Sequence, residues 1–198
     1  MNYHYVFRSI FIGNTGVGKS SIIQKYVNKT FDDHSQSTIG IDYLTKIISI
    51  GERSIKLQMW DLTGQFSFRN LIQSYYRQAS IIFFVFDRTN RSSFTDFKEW
   101  IKHLEPQLDR SQLVIIGNKS DMAFFGVSTE EGQELAERYN AFYYEVSAKQ
   151  DDNLAQIFEE PVRKLYEKMI PETIEPQSVH VDLSSPLLST NPNYCCFL

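Results

Sequence analysis

Residues 13–20 read GNTGVGKS, with the spacing G-x-x-x-x-G-K-[ST]. Their context decides the fold. Before them, VFRSIFIG (6–13) is a β-branched and aromatic run ending in glycine. After the turn, GKSSIIQKYVNK (18–29) carries Ile22, Ile23, Tyr26 and Val27 at helical spacing. A strand, a glycine-rich turn and a helix in this order make a phosphate-binding loop. The glycines let the backbone wrap an anion with its N–H groups pointing inward, and the helix directs its positive end at the same point. Asn14, Thr15, Gly16, Val17, Gly18, Lys19, Ser20 and Ser21 are therefore candidate nucleotide contacts. Lys19 would neutralise the β and γ phosphates of a triphosphate, and the Ser20 hydroxyl would ligate Mg²⁺.

Working outward, strand and helix signals alternate. IDYLTKIISI (41–50) and SIKLQMW (54–60) alternate with period two around Gly51-Glu52, which predicts a hairpin. SIIFFVFD (80–87) and LVIIGN (113–118) are nearly all apolar, as strands covered on both faces of a parallel sheet should be. Between them, Phe94, Phe97, Trp100, Ile101 and Leu104 predict a helix over 92–108. STEEGQELAERY (128–139) opens with Ser128 and has Glu131 three residues later, a capping-box signature. FYYEV (142–146) predicts a last strand, and 153–169 a last helix. The class is α/β with right-handed crossovers.

A chain of 198 residues with 42% apolar and 22% charged residues suits one globular domain with a full core. Its net charge of −4 argues against general nucleic-acid binding, so no nucleic-acid partner is expected. No apolar run approaches the roughly 20 residues of a membrane-spanning helix. The start shows no secretory signal pattern. Both cysteines, Cys195 and Cys196, fall near the end, leaving none to staple the body, as in a reduced cytosolic protein. From Pro171 the chain is rich in Pro and Ser and has no Lys or Arg, which predicts a flexible tail over 171–198 after a domain of residues 1–170.

Further motifs sit where strands end. In NKSD (118–121), Asp121 would accept hydrogen bonds from N1–H and the exocyclic amine of guanine, which adenine cannot supply. Asn118 would tie this loop to the phosphate loop, and the Lys119 stem would cover the face of the base. In SAK (Ser147, Ala148, Lys149), the Ala148 N–H would meet guanine O6. Phe31 would pack against the base edge. Thr38 would bring its hydroxyl to Mg²⁺ and its N–H to the γ-phosphate. In WDLTGQF (60–66), Asp61 and Gly64 would do the matching job for the metal and the γ-phosphate from the other side, with Gln65 directly after them. Two loops held by one phosphate are released together when it leaves.

In chain order, GNTGVGKS, the TIG threonine Thr38, WDLTGQF, NKSD and SAK, over about residues 5 to 170, resemble the small GTPases of the Ras superfamily. Within it, IGIDY, KLQMWD, YYRQA, NRSSFTDFKEW and the terminal CCFL are similar to Rab segments. The resemblance implies a P-loop GTPase fold: a mostly parallel six-stranded sheet with one antiparallel strand and helices on both faces. It implies a monomeric domain that binds GTP or GDP with Mg²⁺ and hydrolyses GTP slowly, with Gln65 and Lys19 as catalytic residues. It implies effectors that meet Ile39, Tyr43, Trp60 and Tyr75, and an exchange factor, a GTPase-activating protein, and prenylation and GDI machinery. The expected location is the cytoplasmic face of endomembranes, through a lipid anchor, with a soluble cytosolic pool and a role in vesicle traffic.

Departures from the Rab pattern are local. WDLTGQF stands where Rabs typically read WDTAGQE. Thr15 and Thr63 add bulk near the γ-phosphate, and Phe66 replaces an acid that in the family assists exchange. An alternative reading is a GTP-bound scaffold with spoiled turnover, and another is a prenylated signalling GTPase of the Ras/Rho type. The CaaX-like end with Leu last suggests geranylgeranylation. One lipid chain gives only marginal binding, so both Cys195 and Cys196 are expected to be modified.

Overall fold

In the computed structural model, residues 3–32, 38, 40–62, 64, 75–104, 108–150 and 153–169 are described. Strands β1 (Tyr5–Ile12), β2 (Ile41–Ile50), β3 (Arg53–Leu62), β4 (Ile81–Asp87), β5 (Gln112–Asn118) and β6 (Phe142–Val146) form one sheet in the order β2-β3-β1-β4-β5-β6. β2 pairs antiparallel with β3 through the expected hairpin, and the remaining pairs are parallel. The helices are α1 (Lys19–Asn28), α2 (Arg91–Thr95), α3 (Phe97–Lys102), α4 (Thr129–Arg138) and α5 (Leu154–Met169).

Alternation along the central strands splits the core in two. Phe11 of β1 and Phe83 of β4 face Ile22 and Tyr26 of α1 and Phe158 of α5. Ile10, Phe84 and Ile115 face Phe97 and Trp100 of α3 and Ala136 of α4. Every residue of β4 and β5 is buried, which is why both read as unbroken apolar runs. Helices thus lie on both faces, as expected.

The predicted helix over 92–108 is divided. α2 and α3 meet at Asp96 (φ −69°, ψ −8°), and α3 ends at Lys102, with residues 105–107 outside the described set. The joint keeps its backbone bonds, Asp96 N–H to Ser92 at 3.0 Å and Trp100 N–H to Asp96 at 3.1 Å. The aromatic spacing is right because it tracks one continuous apolar face. It carries no sign of where the helical geometry relaxes. The capping box of α4 is present as expected, with the Ser128 hydroxyl accepting from Glu131 N–H and Glu131 accepting from Ser128 N–H.

Candidate functional site

The carboxyl ends of the parallel strands converge on one edge, where an open α/β sheet places its ligand crevice. β1 feeds the phosphate loop, β3 ends at Asp61-Leu62, β5 ends at Asn118, and β6 runs into Ser147. A cleft of about 270 Å³ at this edge is lined by Gly16, Gly18, Phe31, Asn118, Asp121 and Ala148, among others. Phe31 also packs its ring against the core beneath α1, so it serves both surfaces.

The phosphate loop enters α1 without a side-chain cap. Gly18, the N-cap, holds φ +97°. A Cβ there would collide with the Asn118 amide, so the residue must be glycine both for its left-handed backbone and for this close approach. The first turn of α1 therefore leaves its N–H groups for an anion. Lys19 is buried, and its ammonium donates to the Gly13 and Asn14 carbonyls at 2.9 Å each. Burial lowers its pKa to about 8, against a smaller raising effect from Asp61. A cation held this way gains a counter-charge when a phosphate arrives.

Beside it, three oxygen-bearing side chains converge. Ser20 Oγ lies 2.6 Å from Thr38 Oγ1 and donates a short hydrogen bond to Asp61 Oδ2, while Thr38 Oγ1 donates to the same oxygen at 3.4 Å. Asp61 Oδ1 is buried with no hydrogen-bond partner among the described residues. Burial raises the Asp61 pKa, countered by Ser20, Lys19 and Thr38, and Asp42 opposite it on β2 pushes it further up. A buried carboxylate with an unsatisfied oxygen among two hydroxyls has the hard donor set that Mg²⁺ prefers. Gly64 lies against the phosphate loop so closely that a Cβ would meet the backbone of Asn14 and Thr15.

On the other side, Asn118 Nδ2 donates to the Val17 carbonyl at 2.8 Å and its Oδ1 accepts from Ala148 N–H at 3.3 Å. Ser147 Oγ donates to Asp121 Oδ1 at 2.7 Å. Lys119 has φ +65° and its ammonium is 2.6 Å from Asp87 Oδ2. Lys149 and Ser21 also line the cleft. The Asn14 side chain does not face it: Nδ2 donates to Asp96 at 2.7 Å and Oδ1 accepts from the Trp100 indole at 3.0 Å. Asn14 therefore reaches the site through its backbone only.

Sequence reasoning missed Asp87, Asp96 and Trp100, which hold these loops from behind. Asp87 had one signal, a charge closing an otherwise apolar strand. Tyr43, Trp60 and Tyr75 form a contiguous aromatic row, with ring centroids 4.6 and 5.1 Å apart. Ile39, Thr63, Gln65, Phe66, Cys195 and Cys196 lie outside the described residues.

A family model described as the Ras family matches residues 8–167. The Ras-related protein SEC4 of Saccharomyces cerevisiae is 38% identical over 169 residues, covering 85% of this chain and 79% of the yeast protein. The Ras-related protein RABC1 of Arabidopsis thaliana is 37% identical over 202 aligned positions, 98% of this chain and 95% of its own. The Ras-related protein Rab-3C of Bos taurus is 38% identical over 170 residues, 85% and 75% respectively. With the strand order, the phosphate loop and these matches in agreement, the chain belongs to the Ras family, as a Rab-type small GTPase that hydrolyses GTP and serves vesicle traffic.

Proposed function

We propose that residues 1–170 are the GTP-binding domain, that its cleft holds GTP or GDP with Mg²⁺, and that residues 171–198 are a flexible tail bearing a lipid anchor. The observation that carries the nucleotide reading is the double role of Asn118, which joins the phosphate loop at Val17 to the Ala148 turn. A base and its phosphates are bound by one piece of backbone only if those loops are fixed to each other. Asp121, oriented by Ser147, accepts from guanine N1–H and the exocyclic amine, and Ala148 N–H meets O6. The Lys119 stem, its ammonium anchored on Asp87, covers the face of the base.

The reaction is in-line attack of water on the γ-phosphoryl group, giving GDP and phosphate. Lys19 keeps its proton against the β and γ phosphates, and the α1 N-terminus and loop N–H groups take up developing charge. Ser20 and Thr38 would hold Mg²⁺ directly and Asp61 through water, and the metal would supply charge neutralisation at the phosphate oxygens. Gln65 orients the water. Thr38 and Gly64 both depend on the γ-phosphate, so its loss frees both segments and changes the surface that carries Tyr43, Trp60 and Tyr75 with Ile39. Effectors read that surface, an exchange factor replaces GDP, and a GTPase-activating protein speeds hydrolysis.

The tail acts at the cytoplasmic face of endomembranes, with a soluble pool held by GDI machinery. It has no Lys or Arg to help bind anionic lipid, so both Cys195 and Cys196 are prenylated to give stable attachment. Intact mass should show both groups; one group with trimming after Cys195 would assign the CaaX route instead. The nucleotide reading is tested by competing GTP against ATP on the wild-type chain and on Asp121→Ala. A preference of roughly 10⁴ for GTP, lost in the variant, is expected; equal affinity in the wild type would sink the reading.

A further inference from the structure

Arg88, the residue after β4, is an arginine buried to 6% exposure, outside every nucleotide contact named above. Its backbone N–H donates to the Asn118 carbonyl at 3.1 Å, and its own carbonyl accepts from Gly126 and Val127 N–H at 2.8 and 3.2 Å. Its guanidinium lies 2.6 Å from Glu145 Oε2 through Nη1 and donates to Thr129 Oγ1 at 3.2 Å through Nη2. The other Glu145 oxygen accepts from the Tyr143 hydroxyl at 2.8 Å. The Phe125 ring covers the guanidinium at 3.9 Å. The buried Nε has no hydrogen-bond partner among the described residues.

This is a costly way to fill space. Taking the guanidinium out of water and stranding one of its donors, against a carboxylate that stays 24% exposed, gives no more stability than an apolar side chain of the same size would. What the pair does supply is a fixed geometry. Arg88 is bonded at once to the end of β5, to the loop after NKSD, to the start of α4 and to β6. Glu145 stands two residues before Ser147, which orients Asp121. The Ser147 hydroxyl can aim the Asp121 carboxylate only if β6 and the NKSD loop keep their relative height, and the Arg88–Glu145 pair spans that gap.

We infer that Arg88, through Glu145, is a positioning residue for guanine recognition: the pair sets the NKSD and SAK loops against each other so that Asp121 meets the base amine. The inference rests on the cleft being the guanine site. Hypoxanthine lacks the exocyclic amine, so the ratio of inosine to guanosine diphosphate affinity reports the placement of Asp121, whereas a purely structural role would move only stability.

The test uses the full chain, fluorescent GDP release, and GDP against IDP competition, for Arg88→Met and for Arg88→Met combined with Glu145→Gln. The single variant is expected to melt lower, release GDP roughly tenfold faster (about 1.4 kcal/mol) and lose most of its preference for GDP over IDP. The double variant no longer leaves a partly buried carboxylate without its partner, so its melting temperature returns toward wild type while fast release and weak discrimination persist. It also stands as the assay if the single variant does not fold. Release and discrimination that recover together with the melting temperature in the double variant would overturn the inference, as would wild-type values in the single variant. A wild-type chain that binds no GDP would instead overturn the nucleotide reading beneath it.

Discussion

The side-chain amide of Asn118 donates to the carbonyl of Val17 at 2.8 Å, across 101 residues of chain. That bond closes the site, because it makes the phosphate loop and the base loop one object. Asn118→Ala strands two buried backbone groups, the Val17 carbonyl and the Ala148 N–H, at about 1–3 kcal/mol each. GDP release measured with a fluorescent nucleotide should accelerate roughly tenfold to a hundredfold. A rate within about twofold of wild type would show that the bridge is incidental.

Asp61 carries a buried oxygen without a partner among the described residues, as a carboxylate arranged for a cation would, and burial raises its pKa. Asp61→Asn keeps the shape and a hydrogen-bond acceptor but removes the charge. Wild-type protein should hold GTP roughly tenfold longer in millimolar Mg²⁺ than in EDTA, and the variant should show little of that difference. Filter binding with and without chelator measures it.

Gln65→Leu removes the side chain expected to orient water while leaving the phosphate loop untouched. Single-turnover hydrolysis should slow by roughly tenfold or more, with GTP affinity retained. Equal rates for the two proteins would remove Gln65 from the mechanism. They would also favour a scaffold whose slow turnover owes nothing to this residue.

The α4 cap offers a pH test away from the nucleotide. Arg91 donates to Glu131 at 2.6 Å and, with the Ser128 N–H, holds the Glu131 carboxyl below its ordinary value of 4.5. A carboxylate whose pKa is lower folded than unfolded contributes stability above its unfolded pKa, and that contribution is lost as pH falls below it. Glu131→Gln should therefore flatten the fall of the urea midpoint below about pH 4.5 relative to wild type. Ser128→Ala, which removes the cap itself, should lower stability by about 0.5–2 kcal/mol at neutral pH.

The elements were legible because each follows a local rule. β4 and β5 are apolar throughout since both of their faces are covered. The hairpin of β2 and β3 alternates around Gly51-Glu52. The α4 capping box needs only residues three apart, so its hydrogen bonds could be read directly from STEE. The joint at Asp96 was not legible, since aromatic spacing reports which face is buried and is blind to a small change of helical geometry.

By itself, the sequence determined which residue types stand at which strand ends, and from them the expectation of a triphosphate, a hard cation and a guanine. Those follow from spacing within short motifs, where the chain's own geometry fixes what is adjacent. Only the tertiary structure decided how the motifs hold one another. Asn14 turns to Asp96 and Trp100, Lys119 anchors on Asp87, and Arg88 spans to Glu145. The partners in these contacts are 32 or more residues apart in every pair, and no local preference of the chain specifies them. They arise because parallel strands bring their carboxyl ends to one edge of the sheet, where buried polar groups must find each other or go unsatisfied.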